Sequence, residues 1–246
     1  MKKLDFGFTT VLNEEECLTA WIKQALFFCE KVVVLIDPLT FDRSFKIVDE
    51  FTNKGHPVTW LLQDRSLGDS DRTIEGKQKV AIWHANQNMF MERIPLNAWF
   101  LFCDTDEIMN PRDWTITLQL VNQIRESDYK VDGILQPKIE FYPDDQHIIN
   151  WKSIGLDSVL HCIFHKRTAG QSRNTNPHGY ITFPQKQRTI GTSIYHYTHL
   201  KKDAKPRWYD YIETSDMNTM IKRYGSVQTV EYPNPIQNWR TLEGEV

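Results

Sequence analysis

The chain has little cysteine, only Cys17, Cys29, Cys103 and Cys162, widely spaced and each within an apolar stretch. Without a CxxC pair there is neither a thiolate metal pattern nor a disulfide framework, and four reduced core residues of a cytosolic protein are expected. No apolar run approaches the roughly 18 residues of a membrane span, so no transmembrane segment is expected. The start, Met1-Lys2-Lys3-Leu4-Asp5, is basic but has no apolar segment behind it, and Asp5 interrupts it. That pattern predicts no secretory leader and a cytoplasmic location. An excess of one charge is missing as well: a formal net charge of −3 gives no general attraction to nucleic acid or anionic membranes. Any phosphate binding must come from a local cluster. Repeats, low-complexity tracts and flexible linkers are also lacking, so residues 1–246 are expected to form a single domain.

The composition is that of a folded globular chain, with 40% hydrophobic, 25% charged and 12% aromatic residues including eight Trp. Phe6 to Leu12 is a short β-prone run, stopped by Asn13-Glu14-Glu15-Glu16, where a helix opens and runs to about Glu30. Lys31 to Ile36 follows as a second strand ending on Asp37-Pro38. A helix over about Arg43 to Asn53 leads through Gly55 to a third strand, Val58 to Leu62. This β-α-β-α-β rhythm predicts parallel strands with right-handed crossovers. Residues 64–76 form a charged loop before a helix from about Lys77 to Met91. A further helix, Trp114 to Glu126, precedes a strand from Gly133 to Phe141. Beyond residue 142 short strands and polar loops are expected, closing on a helix near 203–223.

The most informative segment is Asp104-Thr105-Asp106-Glu107, directly after the continuous apolar run Trp99-Phe100-Leu101-Phe102-Cys103. Such a run suits a strand buried on both faces of a mostly parallel sheet, and ligand sites in those sheets open at the carboxyl ends of the strands. Two like charges about 4 Å apart repel by roughly 4 kcal/mol at an effective dielectric near 20, so an acidic knot beside a core needs compensation. A divalent cation supplies it, and carboxylates suit Mg²⁺ or Mn²⁺. The plainer alternative is that Asp104 and Asp106 cap the next turn. Two other strand ends are also acidic or polar, Asn13-Glu14-Glu15 and Asp37 with Asp42, and parallel strands would gather all three clusters on one edge.

This ordered set resembles GT-A glycosyltransferases, most closely the family 2 type that uses nucleotide sugars, over residues 4 to about 110. Asn13-Glu14-Glu15 resembles the opening segment of that family, and Val32 to Asp37 its second strand, whose terminal Asp faces the nucleotide base. Asp104-Thr105-Asp106 matches its DxD metal motif. The usual Asp-Gly-Ser-x-Asp run is here Asp37-Pro38-Leu39-Thr40-Phe41-Asp42, and Lys77 stands where an Arg is expected, keeping charge but losing the bidentate fork.

The resemblance implies an α/β fold of GT-A, Rossmann-like type: a mostly parallel central sheet flanked by helices, with a smaller mixed or antiparallel acceptor-side subregion. Residues 1–110 would form the nucleotide-sugar-binding half and 111–246 the acceptor-binding half. The implied activity is metal-dependent, inverting transfer of a sugar from a nucleoside-diphosphate donor, UDP or GDP, to a hydroxyl of a carbohydrate or glycoprotein. The donor would lie against Thr10, Leu12, Asn13, Glu14, Asp37, Lys77, Asp104 and Thr105. Mn²⁺ or Mg²⁺ would be held by Asp104 and Asp106, with His196 of Ile194-Tyr195-His196-Tyr197-Thr198-His199 as third ligand. An inverting transfer needs a base for the acceptor hydroxyl. Asp157, Glu140 and His178 are the candidates, His178 standing where the family often has a carboxylate. Lys201, Lys202 and Lys205 are candidates for a lid over the diphosphate. Rival readings are a catalytically inactive carbohydrate-binding or scaffold protein of the same fold, and a sugar nucleotidyltransferase, whose usual Gly-rich basic loop is absent after the first strand. His161-x3-His165 suggests a zinc hydrolase only weakly, having no evident third partner.

Overall fold

A computed structural model describes residues 1–67, 75–127, 131–141, 145–150, 159–171, 187–197, 229–233, 236 and 238–243. The expected β-α-β-α-β opening is present as β1 (Leu4–Val11), α1 (Glu15–Phe28), β2 (Cys29–Ile36), α2 (Ser44–Asn53) and β3 (Val58–Leu62). A single 3₁₀ turn, Arg65–Leu67, then leads towards α3 (Glu75–Arg93), β4 (Trp99–Phe102), β5 (Glu107–Met109), α4 (Pro111–Glu126) and β6 (Gly133–Glu140). The eight-residue β8 (Val159–Lys166) and four three-residue strands complete the described elements: β7 (His147–Ile149), β9 (Gln187–Thr189), β10 (Ile194–His196) and β11 (Thr229–Glu231). The helix expected near 203–223 lies outside the described residues.

Among the described residues nine strands form one sheet in the order β3-β2-β1-β4-β8-β6-β10-β5, with β9 also paired to β6, while β7 and β11 make a small antiparallel sheet. Pairing is parallel from β3 to β4, antiparallel on both sides of β8, parallel between β6 and β10, and antiparallel at β5. The expected α/β architecture, a mostly parallel sheet flanked by helices with an added antiparallel part, is thus observed. Of the later strands, β5, β6, β8, β9 and β10 extend the same sheet, and only β7 and β11 stand apart from it among the described residues.

Burial explains the strand composition. On one face of β1, β2 and β4, Trp21, Ile22, Ala25 and Phe28 of α1 pack with Ile47 and Val48 of α2 and Trp114, Leu118 and Val121 of α4. On the other, Phe90, Met91 and Ile94 at the end of α3 and beyond it pack with Phe8, Phe100 and Phe102. Strands covered on both sides have no polar face to alternate, hence Val32-Val33-Val34-Leu35-Ile36. Gly7 suits the junction because a Cβ there would lie 3.0 Å from Cys29 Sγ. All four cysteines are buried and free, and burial pushes the thiols of Cys29, Cys103 and Cys162 above their ordinary range. No helix among the described residues is long and apolar enough to cross a membrane.

An aromatic column ties the last described segment to this sheet. Tyr197 stacks on Phe141 at 4.8 Å and on Trp239 at 4.3 Å, with both ring pairs parallel within 2°. Arg240 lies 4.2 Å over the Trp239 ring and donates from Nε to Glu16 Oε2 at 3.2 Å. Trp239→Ala should therefore cost about 3–5 kcal/mol. Urea unfolding monitored by far-UV circular dichroism should show a lower midpoint at an unchanged slope; an unchanged midpoint would contradict the packing described.

Candidate functional site

Because β1, β2, β3 and β4 run parallel, their carboxyl ends share one edge, and hydrogen bonds join the three acidic segments there. Asn13, in the left-handed region at φ 57°, which Asn tolerates better than most residues, accepts from Phe41 N at 2.9 Å. Glu14 N donates to Ser44 Oγ at 3.1 Å. The starts of α1 and α2 cap one another: Glu15 N donates to Asp42 Oδ2 at 2.9 Å, and Arg43 N to Glu15 Oε2 at 3.0 Å. Each carboxylate thereby meets N–H groups that a helix start leaves without an intrahelical partner. Thr105 Oγ1 donates to Glu14 Oε2 at 2.9 Å, fastening the β4 turn to the end of β1. Thr10 Oγ1 accepts from Gln87 Nε2 of α3 at 2.9 Å, and Leu12 is half-buried.

Asp37 is fully buried. Arg65 Nη1 donates to both its carboxylate oxygens, at 2.9 and 2.8 Å, and Leu39 N donates to Oδ1 at 2.9 Å. Arg65, one-third exposed, therefore caps the carboxylate that the sequence marks at this strand end. Lys77 falls within α3, but its side chain lies outside the described residues. So do Asp157, His178, His199, Lys201, Lys202 and Lys205.

The acidic tetrapeptide is not a loop throughout. Glu107 opens β5, a strand the apolar run does not announce, which pairs with β10 at Glu107↔His196. Gln24 of α1 holds the other edge of β5, donating to Glu107 O at 3.1 Å and accepting from Met109 N at 2.6 Å. The Glu107 side chain turns back to accept from Asp104 N at 3.0 Å, closing the turn that carries Asp104, Thr105 and Asp106. Its other oxygen lies 3.5 Å from Lys138 Nζ and 2.7 Å from His161 Nδ1. Burial alone would push the Glu107 carboxyl up, but His161 and Lys138 outweigh it and hold the group at about 2, below the ordinary 4.5. Burial likewise pushes Lys138 down, yet Glu107 and Glu140 more than offset this and hold the ammonium above its usual range. Part of the compensation that the acidic knot needs therefore comes from the protein itself.

His196 stands between β5 and β6, registered with Glu107 on one side and Glu140 on the other. Its Nδ1 lies 3.0 Å from Glu140 Oε1 and its Nε2 3.8 Å from Asp106 Oδ1. The same Glu140 oxygen is 3.2 Å from Lys138 Nζ. Among the described residues no three His, Cys, Asp or Glu side chains are gathered as a metal site. What is gathered is a pair, Asp106 with His196, at a separation too long for a hydrogen bond and short enough for one ion with bonds of roughly 2 Å to reach both. Of the two donors, the Asp106 carboxylate is the kind that Mg²⁺ and Mn²⁺ favour, whereas the His196 imidazole suits Mn²⁺ less well and Mg²⁺ least.

Lys138 and Arg65 were not among the sequence candidates, and His161 entered only through the weak zinc pattern His161-x3-His165. Lys138 and Glu140 are two apart on a strand, a same-face signal available in the sequence. His161 and His165 are four apart and would share a face of a regular strand. The β6–β8 register shifts between Ile134 and Leu135, leaving Ile163 without a direct partner, so this parity is broken. His165 instead stacks on Phe100 at 5.0 Å on the α3 side, and the two histidines do not form a metal pair.

No protein-family model matches the sequence, and no curated protein matches it. Solved structures overlay at low scores. Glucosyl-3-phosphoglycerate synthase from Mycobacterium tuberculosis, in complex with Mn²⁺, UDP and glucosyl-3-phosphoglycerate, overlays with a TM-score of 0.45 and 12% identity, covering 94% of this chain and 88% of that one. The same enzyme with Mn²⁺, UDP and phosphoglyceric acid gives a TM-score of 0.35 and 14% identity over 58% of this chain and 45% of that one, so less than half its length is spanned. A Bacillus anthracis protein assigned as a glucose-1-phosphate thymidylyltransferase, in complex with sucrose, gives 0.37 and 11% over 98% of this chain and 96% of that one. Overlays at these scores do not identify an activity.

The depressed Glu107 carboxyl predicts a pH effect. A group lower in the folded state, at about 2 against 4.5, stabilises the fold above the unfolded value and loses that contribution as pH falls from 4.5 towards 2. Thermal melts should show wild-type stability falling through that window, and Glu107→Gln should start lower at pH 7 and fall less. Parallel profiles for the two proteins would contradict this account of the ion-pair cluster.

Proposed function

We propose that the chain is a metal-dependent glycosyltransferase that moves a sugar from a nucleoside diphosphate, UDP or GDP, to a hydroxyl acceptor. The observation that carries this reading is the meeting of Asp106 and His196, 3.8 Å apart, on the sheet edge where the β1, β2 and β4 ends are bonded together. A cleft at that edge is where nucleotides bind in parallel α/β sheets. In this reading Asp106 and His196 hold Mn²⁺ or Mg²⁺, with Asp104 on the same turn facing the diphosphate. The ion, when bound, supplies Lewis-acid stabilisation of the leaving diphosphate.

The nucleoside would rest against Thr10 to Glu14 and the Asp37–Arg65 pair. Lys77, at the start of α3, would add a positive contact to the diphosphate. Asp157, Glu140 and His178 are the candidates for the base that takes the acceptor proton, a second role for Glu140 being taken up below, and an inverting outcome goes with that base. The acceptor, a carbohydrate or glycoprotein hydroxyl, would enter from the side built by residues 111–246. The alternatives, an inactive carbohydrate-binding protein or a sugar nucleotidyltransferase, make different predictions about metal and product.

Nucleoside diphosphates screened by thermal shift with and without Mn²⁺ should stabilise the protein only with metal, by about 2.7 kcal/mol at a hundredfold excess over Kd. Asp106→Ala should abolish that stabilisation. Asp104→Ala and Asp106→Ala should each cut sugar transfer by about 100-fold or more, the scale of several kcal/mol of lost charge stabilisation, with circular dichroism unchanged. No response to any diphosphate would favour the binding-protein alternative, and pyrophosphate release from a nucleoside triphosphate and a sugar phosphate would favour the nucleotidyltransferase.

A further inference from the structure

We infer that Glu140 is a positioning residue for His196, setting which imidazole nitrogen faces Asp106 and thereby the affinity for the divalent ion. The inference rests on the metal-dependent reading above and gives Glu140 a role other than the acceptor base. Three neighbouring strands supply its geometry. His196 of β10 is registered with Glu140 of β6 on one side and Glu107 of β5 on the other, so the three side chains form one cross-strand row.

Within that row Glu140 Oε1 lies 3.0 Å from His196 Nδ1. An ionised carboxylate has only acceptors, so the proton of a neutral imidazole belongs on Nδ1 and the lone pair on Nε2. This tautomer is assigned from the hydrogen-bond network. Nε2 is the nitrogen 3.8 Å from Asp106 Oδ1. The opposite tautomer would turn an N–H towards the ion position and exclude ligation. A carboxylate behind a ligating histidine also raises its basicity and fixes the ring plane.

Glu140 is itself held. Its Oε1 is 3.2 Å from Lys138 Nζ, which is 3.5 Å from Glu107 Oε1, and Glu107 Oε2 accepts from Asp104 N at 3.0 Å. A continuous chain, His196-Glu140-Lys138-Glu107-Asp104, therefore joins the histidine to the acidic turn on the far side of the site. The Glu140 side chain is only 12% exposed, and its Oε1 is thus shared between the imidazole and the ammonium.

Two readouts on Glu140→Ala and Glu140→Gln test the inference. In the metal-free protein, long-range ¹H–¹⁵N correlation spectra should give His196, assigned by its disappearance in His196→Gln, the Nδ1–H pattern; Glu140→Ala should lose it. Mn²⁺ titrated in the presence of UDP or GDP, with free Mn²⁺ followed by electron paramagnetic resonance, should bind about 10- to 100-fold more weakly to Glu140→Ala. Glu140→Gln, which keeps the volume and an acceptor oxygen but not the charge, should retain the tautomer with an intermediate loss of affinity. It carries the test should the alanine variant not fold. Wild-type Mn²⁺ affinity in either variant, or an unchanged tautomer in Glu140→Ala, overturns the inference while leaving the metal reading intact, provided Asp106→Ala no longer binds. Absence of Mn²⁺ binding by the wild type with both diphosphates overturns both.

Discussion

The buried carboxylate of Glu107 is the contact from which the geometry of this site follows. One oxygen accepts from the backbone N–H of Asp104 and so closes the turn after β4; the other meets Lys138 from β6 and His161 from β8. Its backbone begins β5 and pairs with His196. One residue thus joins the turn, the antiparallel part of the sheet and the histidine. A buried charge of this kind is weak support for stability, because desolvation offsets much of the Coulomb attraction. Its value lies in geometry: with Lys138 and His161 in place, few arrangements of the turn satisfy every charge at once, and removing one partner would leave another buried and unpaired.

The rest of the edge is built by backbone groups that the fold leaves without partners. Parallel strands must be followed by crossovers, and each crossover helix begins where its strand ends, presenting N–H groups to the same edge. The reciprocal bonds between the starts of α1 and α2, through Glu15 and Asp42, answer that demand. They also account for Asp42, whose two carboxylate oxygens accept from Glu15 N and Ser44 N. Behind the site, Phe141 and Tyr197 directly follow Glu140 and His196, and their stack with Trp239 anchors both strand ends. Core packing and the polar row are therefore adjacent residues of the same two strands.

Much of the first half was legible because its signals are local. Continuous apolar runs mark strands buried on both faces, and polar residues after each run mark where helices begin, so the β1-α1-β2-α2-β3 order and the acidic strand ends could be read directly. Element limits moved by one to three residues where caps rather than periodicity set them, as at Pro111, where Asn110 accepts from Arg112 N. β5 was not legible: three residues carry no period, and its edges are satisfied by β10 and by the Gln24 side chain, both remote in sequence. The pairing of His161 with Glu107 was hidden for a different reason, since an irregular step in the β6–β8 register breaks the two-residue alternation on which such a reading depends.

By itself the sequence determined that acidic and polar residues end three strands of one parallel sheet, and that Asp104-Thr105-Asp106 sits at the mouth of a buried strand. That much follows from hydrophobic patterning and from the chirality of crossovers, which act over a few tens of residues. The tertiary structure alone decided which charges meet: Asp37 with Arg65, Glu107 with Lys138 and His161, and His196 with Glu140 on one nitrogen and Asp106 near the other. Charges far apart in the chain become partners only when strand register brings them within about 4 Å in a poorly solvated interior, where their attraction is several times larger than in water. Register is set by all the strands together, so no local stretch of the chain encodes it.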